Sequence, residues 1–125
     1  MGTGPVVLVS AEASGAEGND NSSTPSLSAD GAFVAFQSTA NELVAPSTPV
    51  GLSQIYLKDA GAGRAGPISL ISGVAPGVGG DGNSENAAIS GDGLYVTFDS
   101  QSTDLSSADA NGALKDVFRG YKDAL

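Results

Sequence analysis

The sequence predicts an all-β chain built from two copies of one four-stranded unit, and three observations predict it. One segment recurs at a fixed separation, the chain is dense in turn residues, and its apolar residues fall in short runs. Gly accounts for 18 of the 125 residues, with Ser, Asn and Asp also frequent, and such a chain reverses direction often. The apolar share of 40% is enough for a packed core. Its short runs end at turn signals and do not follow a helical period.

The repeat comes first because it sets the architecture. Ser28-Ala-Asp-Gly-Ala-Phe-Val-Ala-Phe-Gln-Ser38 returns as Ser90-Gly-Asp-Gly-Leu-Tyr-Val-Thr-Phe-Asp-Ser100, 62 positions on. The same separation matches Leu8 with Leu70, Ser10 with Ser72, Gly15 with Gly77 and Gly18 with Gly80. It also matches Asn21 with Asn83, Ser22 with Ser84, Leu43 with Leu105 and Leu52 with Leu114, without a gap. The whole chain, 1–125, therefore reads as a single module of two units, the first over about 22–72 and the second over about 84–124.

Each unit reads as four strands. In the first, Pro25 to Ser28 is a short strand, and Asp30-Gly31 marks a tight turn, since Gly adopts positive φ without a Cβ clash. Ala32 to Ser38 is the second strand, apolar on both faces over Ala32-Phe-Val-Ala-Phe36, as expected of a strand covered on both sides. A Pro-rich loop around Val44 to Ser53 leads to the third strand, Gln54 to Asp59. The turn Gly61 to Gly66 leads to the fourth, Pro67 to Ser72, and a polar Gly/Asn/Ser loop follows. The second unit repeats this with Ala87 to Ser90, Leu94 to Ser100 and Asp116 to about Ala124. All seven aromatics fall in second or third strands and are expected to pack between sheets. The one weak helical stretch, Ala110 to Leu125, is broken by Gly112 and Gly120.

The segments Pro25-Ser-Leu-Ser-Ala-Asp-Gly-Ala-Phe-Val-Ala-Phe-Gln-Ser38 and Ala88-Ile-Ser-Gly-Asp-Gly-Leu-Tyr-Val-Thr-Phe-Asp-Ser100 resemble the WD40-like (PD40) repeat of TolB-type β-propellers. Gln54-Ile-Tyr-Leu-Lys-Asp59 resembles the third-strand motif of that repeat. The resemblance covers about residues 6 to 124. It departs at Ala87, which stands where the first copy has Pro25. It departs again at Asp116-Val-Phe-Arg-Gly-Tyr-Lys-Asp123, two residues longer before its Lys-Asp, which predicts a bulge or an altered end. The resemblance implies a toroidal scaffold of four-stranded blades without chemistry of its own, an interaction platform in the bacterial envelope, hence a periplasmic or extracellular setting.

Propellers hold about four to eight blades, and a blade buries both faces only between neighbours. Two blades are therefore expected to leave two apolar faces open, and patches of that size mark interfaces. Val6-Val-Leu-Val-Ser10 aligns with the fourth strand and is expected to close the last blade of a neighbouring copy. The predicted partner is thus the chain itself, in a head-to-tail homo-oligomer. A homotrimer is favoured because TolB-like rings have six blades, and a tetramer is the alternative. The expected interface residues are Val6, Val7, Leu8 and Val9 on one side and Val117, Phe118 and Tyr121 on the other.

Composition narrows the function. Net charge is −9, with Lys58, Arg64, Lys115, Arg119 and Lys122 the only basic residues. That balance argues against nucleic acid and anionic membranes as partners, because both need clustered cations. The first residues lack the pattern of a secretion signal. There is no His and no Cys, which removes the commonest general base, zinc ligands and thiol chemistry. The serines lack an evident base, and Gly77-Val-Gly-Gly-Asp-Gly82 lacks the Lys-Ser/Thr of a phosphate loop. Asp104, Asp109, Asn111 and Asp116 are the one metal candidate, for Ca²⁺, which takes oxygen ligands on a tight loop. The competing reading is that Asp and Asn-Gly simply form turns.

Asp30 and Asp92 recur at the repeat spacing and read as turn residues. The acidic loops Glu17 to Asp20 and Asp81 to Glu85 offer carboxylates, but nothing pairs them across a cleft as a glycosidase requires. No enzymatic activity is expected and no cofactor beyond an optional Ca²⁺. The expectation is a structural or interaction module, with a sugar- or peptide-binding or hydrolase-associated propeller domain as the alternative.

Overall fold

The computed structural model describes residues 6–122. Among them there is no α-helix, only strands, loops and a single 3-10 turn at Ala60–Ala62. The chain is all-β. The first sheet joins β1 (Ser22–Leu27), β2 (Phe33–Ser38), β3 (Gln54–Asp59) and β4 (Ile68–Leu70) in sequence order, all antiparallel. A small ribbon pairs β5 (Gly73–Ala75) with β6 (Val78–Gly79). The third sheet joins β7 (Ser84–Ile89), β8 (Tyr95–Ser100) and β9 (Asp116–Tyr121).

Local chemistry sets the hairpins. In the first, Asp30 Oδ1 accepts from Ser28 Oγ at 2.7 Å and from the Ala32 amide at 2.9 Å. Ser28 Oγ in turn accepts from the Phe33 amide at 3.0 Å. Gly31 closes the turn at φ 75°. The second hairpin repeats the set with Ser90, Asp92, Leu94 and Tyr95, at 2.6, 3.0 and 3.0 Å. The turn fixes the register of the strands it joins, so the pairing repeats too. Phe33↔Asp59 through Ser38↔Gln54 becomes Tyr95↔Tyr121 through Ser100↔Asp116. Both first strands carry an irregularity at one place, with Thr24 and Asn86 at φ 54° and 58°.

Two apolar clusters hold the sheets. Ala35, Ile55 and Leu57 of the first sheet pack against Ala87, Val96 and Phe98 of the third, with Ile71 between them. Each of its larger side chains, once buried, contributes about 1.5–3 kcal/mol, so this cluster ties the two sheets face to face. The second cluster lies on the opposite face of the first sheet, where Phe36, Leu43, Tyr56 and Leu70 are joined by Val9. The ring pairs echo one another: Phe36–Tyr56 and Phe98–Phe118 both stack at 5.8 Å.

The structure differs from the sequence reading in several places. The first strands begin at Ser22 and Ser84, earlier than Pro25 and Ala87. The polar loop after β4 folds into the β5–β6 ribbon, with Gly77 at φ 71° in its turn. As expected of a stretch broken by Gly112 and Gly120, the chain from Ala110 is loop followed by β9 and not helix, and its last residues lie outside the described ones. The bulge expected in the last strand is not present within Asp116–Tyr121, which pairs continuously.

Among the side chains that change between the two strands, one stands in the core. Lys58 is fully buried and donates to the Ala11 and Glu12 carbonyls at 2.7 and 3.3 Å. Burial lowers its pKa, since a desolvated ammonium prefers to lose its proton. The matching position in β9 is Gly120, where Ile71 leaves no room for a side chain.

Candidate functional site

The surface that stands out is the outer face of the third sheet and the free edge of β9. In an antiparallel sheet alternate residues share a face, so Tyr95, Thr97 and Asp99 of β8 lie with Val117, Arg119 and Tyr121 of β9. Their matches in the first sheet, Phe33, Ala35, Gln37, Ile55, Leu57 and Asp59, lie on the face covered by the third sheet. The outer face is half-apolar, which corrects the expectation of an open greasy flank. Thr97 and Arg119 replace the buried Ala35 and Leu57, while Val117 stays 80% exposed and Tyr121 40% exposed. Arg119 lies over the Tyr95 ring at 4.5 Å, and Tyr95 and Tyr121 meet at 5.3 Å, tilted by 51°. These two tyrosines therefore do not pack between sheets as expected.

Lys115 reaches Glu85 at 3.2 Å and Asp99 at 3.6 Å. The hydrogen bond to Glu85 and the charge of Asp99 raise its pKa. Such exposed pairs contribute little to stability. Asp99 is a candidate residue that sequence reasoning missed. Its Oδ2 accepts from Asn86 Nδ2 at 2.7 Å, while its Oδ1 is buried with the Lys115 ammonium 3.6 Å away and no closer donor. The available signal was its repeat mate Gln37, whose Oε1 accepts from the Asn86 amide at 2.9 Å. Among the described residues β9 pairs with β8 alone, whereas β3 pairs on both sides.

At the other end, the expected strand over Val6 to Ser10 is not a strand within this chain, for it has no paired neighbour. Its backbone pairs only at its end, where the Val9 and Ser10 carbonyls accept from the Ala11 and Gly18 amides at 2.7 and 3.0 Å. Val6, Val7 and Leu8 are exposed at 85, 45 and 36%, while Val9 packs onto the Phe36–Tyr56 cluster. An apolar groove runs from these residues past Pro25 and Val34 to Phe36. Of the expected interface residues, Val117 and Tyr121 face outward. Phe118 faces inward onto Phe98.

The metal candidates separate into two places. Asp109, Asn111 and Asp116 share one loop: Asp109 Oδ1 accepts from the Asn111 amide at 3.3 Å, and Asn111 Nδ2 donates to Asp116 Oδ1 at 3.1 Å. Asp104 instead accepts from the Asp81 amide at 3.1 Å. An amide donor on Asp116 belongs to a turn more than to a cation shell, which needs acceptors only. Among the described residues no group of three or more acidic side chains is placed to hold a metal.

The other acidic candidates brace loops. Asp81 accepts from the Thr103 hydroxyl and amide, both at 2.6 Å, and these bonds lower its pKa. The Ala32 amide and Ser28 hydroxyl lower that of Asp30, and the Ser90 hydroxyl and Leu94 amide lower that of Asp92. No helix of the described residues is long and apolar enough to cross a membrane. No protein-family model matches this sequence, and no curated protein matches it.

Proposed function

We propose that this chain is a non-catalytic structural module, a two-blade protomer of a TolB-like propeller that builds a closed ring from copies of itself. The observation that carries the reading is the repetition of one sheet in three dimensions: the pairing of β2 with β3 recurs 62 residues later in that of β8 with β9. A unit that stacks on its own repeat presents surfaces suited to further repeats. The half-apolar outer face and free edge of the third sheet are one such surface, and the apolar groove beside Val6–Val9 is the other. Head-to-tail contact between unlike surfaces closes only where the rotation divides a circle. Three copies make a six-bladed ring, the favoured state, and four make an eight-bladed one.

Light scattering coupled to gel filtration tests this. The expected mass is about three times the 12.2 kDa of the chain, and a monodisperse, folded monomer at high micromolar concentration would overturn it. A ligand-binding module for a sugar or peptide is the second reading, favoured by the outward Tyr95–Tyr121 pair. It requires that face to be free in solution, so a closed ring argues against it.

A further inference from the structure

We propose that residues 6–8 of a second copy fill the free edge of β9 in one register, Leu8 opposite Phe118, Val7 opposite Arg119 and Val6 opposite Gly120. We propose also that the Thr24 amide of that copy donates to Asp99 Oδ1. The proposal rests on the self-assembly reading and names its contacts.

The chain carries its own template for the seam. β4 lies on β3 with Tyr56↔Leu70, Leu57↔Ser69 and Lys58↔Ile68, and each proposed pair is one of these advanced on one strand and set back on the other. The template extends past β4. Ile71 donates to the Ile55 carbonyl at 2.8 Å. Ser72 Oγ donates to Gln54 Oε1 at 2.6 Å and accepts from the Ile55 amide at 2.8 Å. Val9 and Ser10 match Ile71 and Ser72, so Ser10 Oγ is matched to the Asp116 carboxylate and the Val117 amide. That assigns Asp116 to the seam.

Residues 6–18 already sit on the first sheet as 68–80 sit on the third. The Gly18 amide donates to the Ser10 carbonyl at 3.0 Å, as Gly80 does to Ser72 at 2.9 Å. Ala11 bridges Glu17 as Gly73 bridges Gly79. Val9 joins the Phe36 cluster as Ile71 joins that of Phe98. The second copy therefore needs no rearrangement of this segment before it docks.

Asp99 gives a separate line of evidence. Its buried Oδ1 has the Lys115 ammonium 3.6 Å away and no donor at hydrogen-bond distance, and a buried acceptor gains from a closer donor. At the matching position Gln37 takes the Asn86 amide at 2.9 Å. Asn86 and its mate Thr24 share the same unusual positive φ, 58° and 54°, which turns both amides the same way. Thr24 of the next copy therefore brings a backbone donor to Asp99 Oδ1, beside Lys115. On the same face, exposed Val117 takes the place of Ile55 and meets the apolar groove bordered by Pro25 and Val34. Arg119 lays its aliphatic stem along that contact and keeps its charge over Tyr95.

The chain has no cysteine, so engineered pairs read the register directly. Val7 and Arg119 are both exposed, and a paired position in an antiparallel ladder brings Cα atoms to roughly 4.5–5.5 Å, within disulfide reach. Val7→Cys with Arg119→Cys is expected to give near-complete interchain disulfides on mild oxidation. Val7→Cys with Val117→Cys, two residues out of register, is expected to give few. Asp99→Ala is expected to raise the dissociation concentration about tenfold or more while the circular dichroism spectrum of the dilute chain stays the same.

An oligomer by light scattering that cross-links at 7–117, or not at 7–119, overturns the register and leaves self-assembly standing. An oligomer indifferent to Asp99→Ala overturns the Thr24 contact. A monomer under all conditions overturns both this proposal and the reading beneath it.

Discussion

Gly120→Ala is the sharpest probe of how the two sheets meet. A Cβ at this position falls on Ile71 Cγ2, closer than the ordinary carbon separation of roughly 3.5–4.0 Å by more than about 1 Å. Ile71 is only 7% exposed and sits in the inter-sheet cluster, so it has no solvent to swing into. Overpacking of this kind costs about 1–3 kcal/mol, and the better strand propensity of Ala returns roughly 0.5–1 kcal/mol of it.

Ile71→Ala alone removes the clashing methyl and costs about 2–5 kcal/mol for the cavity it leaves. In the double variant the new methyl enters that cavity, so the clash is relieved. The double variant is expected to be no less stable than Ile71→Ala, a favourable coupling of about 1–3 kcal/mol. Urea unfolding followed by circular dichroism measures it, at one fixed protein concentration, because association changes apparent stability. Strict additivity, within about 0.5 kcal/mol, would refute direct packing of Ile71 on Gly120 and with it the close approach to β9 of the segment just after β4.

Tyr56→Phe removes hydrogen bonds to Thr48 Oγ1 at 3.0 Å and the Ala40 carbonyl at 3.3 Å, at a cost of about 1 kcal/mol, measured by urea unfolding at pH 7. Desolvation raises the folded-state pKa of Tyr56 above 10.0, so its contribution is full below that pH and is lost as pH rises through the raised value; the variant is expected to lose less stability than the parent on going to alkaline pH. Asp30 and Asp92 have lowered folded pKa values, so what they contribute is present above the ordinary Asp pKa and lost as pH falls through the lowered one. Paired Asp30→Ala and Asp92→Ala changes are expected to lower the melting temperature at pH 7 and to bring variant and parent together near pH 2. Titration calorimetry with CaCl₂ is expected to give no heat and no melting shift, as the Asn111–Asp116 hydrogen bond belongs to a turn; binding at micromolar CaCl₂ would overturn the turn reading of that loop.

Much of the fold was legible because its instructions are local. Ser28, Asp30 and Gly31 and their mates Ser90, Asp92 and Gly93 close hairpins through bonds spanning two to five residues. A repeated turn carries its register into a repeated sheet, so β2, β3, β8 and β9 could be read from the 62-residue repeat alone. The ends of strands were less legible, and Ser22 and Ser84 show why. They begin β1 and β7 with hydroxyls bonded at 2.8 Å to Ser38 and Ser100, 16 residues away, a polar contact no apolar pattern announces. The candidate interface was half legible: the apolar Val6 to Val9 declared itself, but the buried Asp99 oxygen did not.

The sequence by itself determined the all-β character, the two units and the turns between paired strands. Only the tertiary structure decided which faces are covered. Lys58 is accommodated in a core because its amino group reaches carbonyls 46 and 47 positions earlier in the chain, and Gly120 has no room for a side chain because Ile71, just past the end of β4, stands in its place. Neither fact is written near the residue it governs. Hydrogen bonds in a turn join neighbours in sequence and can be read from a few letters. Packing joins neighbours in space, and which residues those are is known only once the sheets have met.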